Sequence, residues 1–139
     1  MIRLQGHTLD YKIIEEHEID SIWDDVKGYI AETNDEILNE NDVYEWLKTG
    51  FYTLWIATPR DSNKILGTMT LEYASYPRHN MCRIVSIAGE MKDWIDDIYI
   101  LENWAKAQGC HFLGLYGRKG WKKVLKEYNE HCILFRKKL

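Results

Sequence analysis

The feature that most constrains this chain is a change of hydrophobic period. Over residues 51–88 apolar and polar residues alternate in short runs. Over 92–108 apolar residues recur at helical spacing, and over 111–116 a short apolar run follows. Residues 51–58 are rich in aromatic and β-branched side chains, and 59–63 (Pro-Arg-Asp-Ser-Asn) are turn chemistry. Residues 65–73 set Gly67, Met69, Leu71 and Tyr73 on one face against Leu66, Thr68, Thr70 and Glu72 on the other. A second turn at 77–80 leads to a strand over 81–88, so the three strands predict an antiparallel meander. The following helix carries Trp94, Ile98, Leu101 and Ala105 on one stripe and ends at Gly109. Residues 111–116 are apolar on both faces, which reads as a central strand. Strand, helix and strand together predict one right-handed βαβ crossover.

On either side of this middle part the elements are shorter. A strand over 11–14 precedes a helix from Ser21, with Asp24 as its capping partner and Ile22, Val26 and Ile30 on its buried stripe to about residue 32. A second helix starts at Asn41 or Asp42, buries Val43, Trp46 and Leu47 and stops at Gly50. A short helix over 120–128 and a strand over 131–135 close the chain. The predicted fold class is mixed α/β with helices on both faces of the sheet. At 139 residues and 45% apolar content there is material for one core, hence a single domain over 1–139: an acidic helical part over 1–50 and a sheet core over 51–139. No apolar run approaches the ~18 to 20 residues of a membrane span, and Met1-Ile2-Arg3-Leu4-Gln5 lacks the apolar stretch of a signal peptide. A cytoplasmic protein with no membrane partner is expected.

Cys82, Cys110 and Cys132 are odd in number and far apart, which suits a reducing compartment. Cys110-His111 and His131-Cys132 are adjacent pairs in predicted strands. Neighbours there point to opposite faces, so neither pair closes on one ion, and no metal is expected. Asp35, Asn39, Asn41 and Asp42 lack the glycine and glutamate of a calcium loop and read as a polar linker. The net charge of -4 conceals an asymmetry. Residues 1–50 hold thirteen acids and four bases, whereas 117–139 hold eight bases and two acids. Such a basic end can steer an anionic partner, or the two ends can neutralise one another in the fold.

The stretch Gly117-Arg118-Lys119-Gly120-Trp121 sits where the last strand of the crossover hands over to a helix. Its cations could hold the phosphates of a nucleotide-like ligand at the carboxyl end of that strand. The same four residues imitate the phosphate-clamping GXXG loop of KH domains, although that loop joins two helices. A third reading is a sharp glycine turn whose cations are solvated and whose Trp121 packs on the sheet. Surplus aromatics, with six tryptophans and nine tyrosines, would serve a protein interface if Trp23, Tyr44 and Trp121 were exposed.

The order of meander, crossover and closing helix plus strand resembles the GNAT superfamily of acyl-CoA N-acyltransferases. More closely, the stretch over 101–139, with its Gly109-Cys110 and Gly117-to-Trp121 pieces, resembles small phage-encoded GNAT-like proteins. The resemblance covers roughly residues 51–139. It implies a sheet that splays between the strands ending near Ala88 and Tyr116, with the pantetheine arm of acetyl-CoA in the gap. Ile87, Ala88 and Gly89, with Arg118 and Lys119, are the implied cofactor-binding residues, and the pyrophosphate would sit at the start of the following helix. The family's spaced glycines are missing there, since Gly89 is followed by Glu90-Met91-Lys92-Asp93. Leu125 falls where the family places its proton-donating tyrosine. The remaining candidates for catalysis are Glu72 as general base and Tyr116 or Tyr128 as acid.

Three functions follow. The first is an acyl-CoA-dependent N-acyltransferase with a degenerate cofactor loop, whose partners are acyl-CoA and an amine acceptor. The second is a catalytically inactive GNAT-like phage protein acting as an interaction module on a host or phage protein, in the virion or in host takeover. The third, which the spacing supports least, is nucleic-acid binding through 117–139.

Overall fold

The computed structural model describes residues 1–90, 94–117 and 120–139. Its elements run β1 (Ile2–Gln5), β2 (Leu9–Ile14), a 3-10 turn (Glu16–Glu18), α1 (Ile19–Ala31), α2 (Glu40–Lys48), β3 (Tyr52–Pro59), β4 (Gly67–Ser75), β5 (Asn80–Gly89), α3 (Ile98–Ala107), β6 (Phe112–Leu115) and α4 (Trp121–Val124). The six strands form one sheet in chain order, antiparallel throughout except for the parallel pair β5 and β6. This is the mixed α/β class that the periods predict. The meander stands where the alternation puts it.

The period-two pattern decides which side chains go to which face. Leu9, Tyr11, Ile13, Trp55, Ala57, Met69, Leu71, Cys82 and Ile84 point to one side and pack with Trp94, Leu101 and Ala105 of the α3 region. Ile14, Tyr52, Leu54 and Ile56 point to the other and pack with Ile19, Val26 and Ile30 of α1 and Val43 and Leu47 of α2. Burying a large aliphatic side chain contributes roughly 1.5–3 kcal/mol, so two such layers account for why the sheet stays sandwiched. Asn39 fixes the start of α2. Its side chain accepts hydrogen bonds from the backbone N–H groups of Asn41 and Asp42, and Asp42 reciprocates to the Asn39 N–H. The polar linker is therefore cap chemistry. Gly50, at a φ of +80°, ends the segment as expected.

Several boundaries differ from expectation. β1 is an additional edge strand, three of whose four side chains are exposed. α1 begins at Ile19, before Ser21, whose hydroxyl instead donates to the Glu18 carbonyl. α3 starts at Ile98 because 94–97 form turns, and the expected beginning at Lys92 lies outside the described residues. α4 is one turn long rather than reaching Tyr128. β6 is an edge strand, with Phe112 about half exposed, and not the central strand its apolar faces suggest. Residues 131–135 form no strand. Ile133, Leu134 and Phe135 are 66, 71 and 89% exposed, so their strand-like composition finds no ladder to join.

Candidate active site at the parting of two strands

β5 and β6 pair only from Met81↔Phe112 to Ile84↔Leu115. β5 continues for five more residues to Gly89, while β6 stops. At the same level β5 carries a bulge. Thr70 opposes Ser86 and Leu71 opposes Ile84, so Val85 is the extra residue. A bulge bends its strand and sharpens the local twist, which turns the upper half of β5 away from β6. In an antiparallel strand the main-chain groups alternate between the two neighbours. Over 85–89 those facing away from β4 therefore have no strand to bond. With no described strand beside it, this edge turns the N–H and C=O of every second residue outward, which suits a slender amide-bearing arm, and of the neighbours Ile87 and Ala88 one faces it. Gly89 has a more local task. At a φ of +87° its missing Cβ would sit 2.4 Å from the Leu66 carbonyl oxygen, and the next N–H, of Glu90, donates to that same oxygen at 2.8 Å.

The segments that leave the two parted strands meet again on the α3 side. Trp94, beyond β5, and Trp121, beyond β6, have ring centroids 5.3 Å apart, and both pack on the core. Gly117 makes room for this, since a Cβ there would lie 2.8 Å from Trp121 Cδ1. Trp121 is thus a packing residue. Trp23 and Tyr44 are likewise half-buried, with rings 4.9 Å apart against the α1–α2 core. Leu125 is buried. Arg118 and Lys119 lie outside the described residues, as do residues 91–93.

The N-terminus of α3 is engaged by the chain itself. Asp97, buried at its N-cap position, accepts hydrogen bonds from the His7 N–H (3.0 Å), His7 Nδ1 (2.6 Å) and the Tyr11 hydroxyl (2.6 Å). Burial pushes this carboxyl up, but the Tyr11 and His7 bonds outweigh it and hold it below the ordinary aspartate value.

On the α1–α2 face, Tyr52, Glu72, Arg83 and Gly114 stand in register across β3, β4, β5 and β6. The Arg83 guanidinium pairs with the Glu72 carboxylate and lies 5.3 Å from the Tyr116 ring, so this expected base and this expected acid flank one arginine. Tyr116 itself is exposed, one residue past the last β6 pair. Tyr52 is buried, and burial first, then the Glu72 charge, pushes its phenol up. Tyr128 stands elsewhere. Its hydroxyl donates to Glu102 of α3 at 2.7 Å, and burial together with that carboxylate pushes its pKa far up. Arg83 was missed from the sequence. Its parity with Glu72 follows only once the register below the bulge is known.

Cys82 and Cys110 are buried and Cys132 is exposed. Burial, with the neighbouring Cys110, pushes the Cys82 thiol up to about 12, so it remains a thiol. Among the described residues Glu15, His17 and Glu18 bring ligand atoms together, but Glu18 already pairs with the Met1 ammonium at 3.2 Å. No described helix is long and apolar enough to cross a membrane.

No protein-family model matches the chain, and no curated protein does. Solved structures do. An aminoglycoside acetyltransferase from an uncultured soil metagenomic sample, in complex with sisomicin, superposes with a TM-score of 0.69 at 13% identity, over 95% of this chain and 97% of that one. A GNAT family acetyltransferase of Staphylococcus aureus gives 0.64 at 17% identity, over 95% and 99%. A predicted acetyltransferase with acetyl-CoA from Clostridium acetobutylicum gives 0.59 at 16%, over 94% and 95%. At such identities the likeness is one of fold, and the fold of this chain is that of the GNAT acetyltransferases.

Proposed function

We propose that the protein is an acyl-CoA-dependent N-acyltransferase working with a reduced cofactor loop. The observation that carries this reading is the wedge above Ile84 and Leu115, where the β5 main chain over 85–89 has no strand partner on the β6 side. Bound along that edge, acyl-CoA supplies an activated acyl group that passes to the amine with loss of the thiolate. Glu72 accepts the proton that the attacking amine gives up. Tyr116, exposed at the rim, donates to the departing sulfur; Tyr128 is the weaker acid, its proton being committed to Glu102. Main-chain groups along Ile87 and Ala88 that face away from β4 orient the arm. Arg118 and Lys119 are the cations proposed for the phosphates, in place of a glycine loop.

Calorimetric titration with acetyl-CoA tests the reading. Saturable binding in the micromolar range is expected, and flat heats at high protein concentration overturn it. A second reading, the interaction module, draws support from the Trp94–Trp121 contact on one side of the wedge and from the buried Leu125. It requires a stable protein partner without turnover of any amine.

A further inference from the structure

The row Tyr52, Glu72, Arg83 and Gly114 brings an ion pair onto the sheet face that packs against α1 and α2. It lies one pleat, roughly 7 Å at ~3.3 Å per residue, below the row of Thr70 and Ser86 where the strands part. Three of its features bear on what it could hold. The Arg83 Nε is buried and has no hydrogen-bond partner among the described residues, although one terminal nitrogen is bound to Glu72. Gly114, beside it on β6, carries no side chain, and the flexible thioether of Met81 lies where its Cβ would be, 2.9 Å away at Sδ. The Tyr116 ring stands 5.3 Å from the guanidinium and is 66% exposed, so it borders the pair on its solvent side.

We propose that this row is the acceptor subsite and that the acceptor is a free amino acid, its ammonium received by Glu72 and its carboxylate by Arg83. The inference rests on the acyltransferase reading for its purpose and adds the substrate class. An ion pair held in a half-buried place is a poor host for a simple amine. The amine can reach Glu72 only by displacing Arg83, whose charge is then left without a partner. A zwitterion brings one group for each. It exchanges one ion pair for two, and it gives the unpaired Nε–H an acceptor oxygen in the forked geometry that guanidinium and carboxylate share. The α-amino group and the carboxylate of an amino acid are close enough to address two side chains already in contact. The terminal amine of a peptide, whose nearest carbonyl is neutral, is not matched in this way.

Calorimetry with L-alanine, n-propylamine and propionate as probes, with and without saturating CoA, tests the proposal. L-alanine is expected to bind at least tenfold tighter than either single-charge analogue. Arg83→Lys keeps a cation beside Glu72 but loses the planar fork. It should weaken L-alanine at least tenfold while leaving CoA affinity unchanged. Equal affinity for L-alanine and propylamine, or full L-alanine affinity in Arg83→Lys, overturns the inference. If that happens while acetyl-CoA still binds, the acyltransferase reading stands and only the acceptor class falls. If acetyl-CoA heats are flat while L-alanine selectivity persists, the acyltransferase reading falls and the row remains an amino-acid site.

Discussion

The imidazole of His7 and the carboxylate of Asp97, ninety positions apart, stand 2.6 Å from one another, and this contact ties the β1–β2 turn to the start of α3. With the Tyr11 hydroxyl it makes Asp97 an internal anchor, and the missing Cβ of Gly6 makes room for it: a Cβ there would lie 2.3 Å from Asp97 Oδ2. Asp97→Asn should lower unfolding stability by about 2–4 kcal/mol at neutral pH, as loss of a buried charged acceptor does. Because the folded-state carboxyl titrates below its unfolded value, its contribution is fully present above the unfolded pKa and is lost as pH falls through the folded one. Urea unfolding of wild type and variant should therefore converge as pH drops below the ordinary aspartate range, and parallel curves would contradict the assignment.

Gly89 is needed by the backbone before any ligand arrives. Gly89→Ala places a Cβ 2.4 Å from the Leu66 oxygen at a φ of +87°. A loss of at least about 1–3 kcal/mol is expected from the strained backbone alone. Thermal melting without ligand reads it; a full-strength melt would leave a cofactor role as the reason for the glycine.

Catalytic roles separate by variant. Glu72→Gln should reduce kcat by roughly 10²-fold or more, the usual range for a positioned base, and Tyr116→Phe should reduce it by at least about tenfold. Tyr128→Phe should leave kcat within about twofold while costing about 1 kcal/mol for the bond to Glu102. Steady-state kinetics beside melting curves distinguishes these outcomes, and a rate collapse in Tyr128→Phe would reassign the acid.

The indole pair should resist cofactor entry. Trp121→Phe reduces the contact with Trp94 while keeping an aromatic on the core. Acetyl-CoA should bind this variant several-fold tighter, measured by calorimetry. Weaker binding would mean that Trp121 holds the ligand and does not shield the gap.

The tail is energetically idle in the monomer. Removing residues 131–139, whose apolar members are exposed, should change unfolding stability by less than about 0.5 kcal/mol. A larger loss would show that these residues join the sheet in solution.

What could be read from the sequence is what local periodicity specifies. Met69 and Leu71 against Thr68 and Thr70 gives the faces of β4 outright, and Val26 and Ile30 give the inner stripe of α1. Position within the sheet is a different matter. The residues of β6 are apolar on both sides, yet its outer edge is open, because burial depends on what arrives from elsewhere in the chain. Ile133 to Phe135 have strand composition without a strand beside them, for the same reason. Exposed Ile2 and Arg3 of β1 carry no alternation that sequence could report. The candidate site divides likewise. Glu72 and Tyr116 can be proposed from residue type alone, whereas Arg83 stands beside them only through register, and the His7–Asp97 anchor is purely tertiary.

One unpaired residue in β5 carries a broader implication. Deleting Val85 would let the strand run straight and would swap Ile87 and Ala88 between the two faces, sealing the cleft and spoiling both cores at once. The opening is therefore not a feature that gradual side-chain drift can erase. Substitutions along the rim can change what lines the opening, while its width stays a property of the main chain.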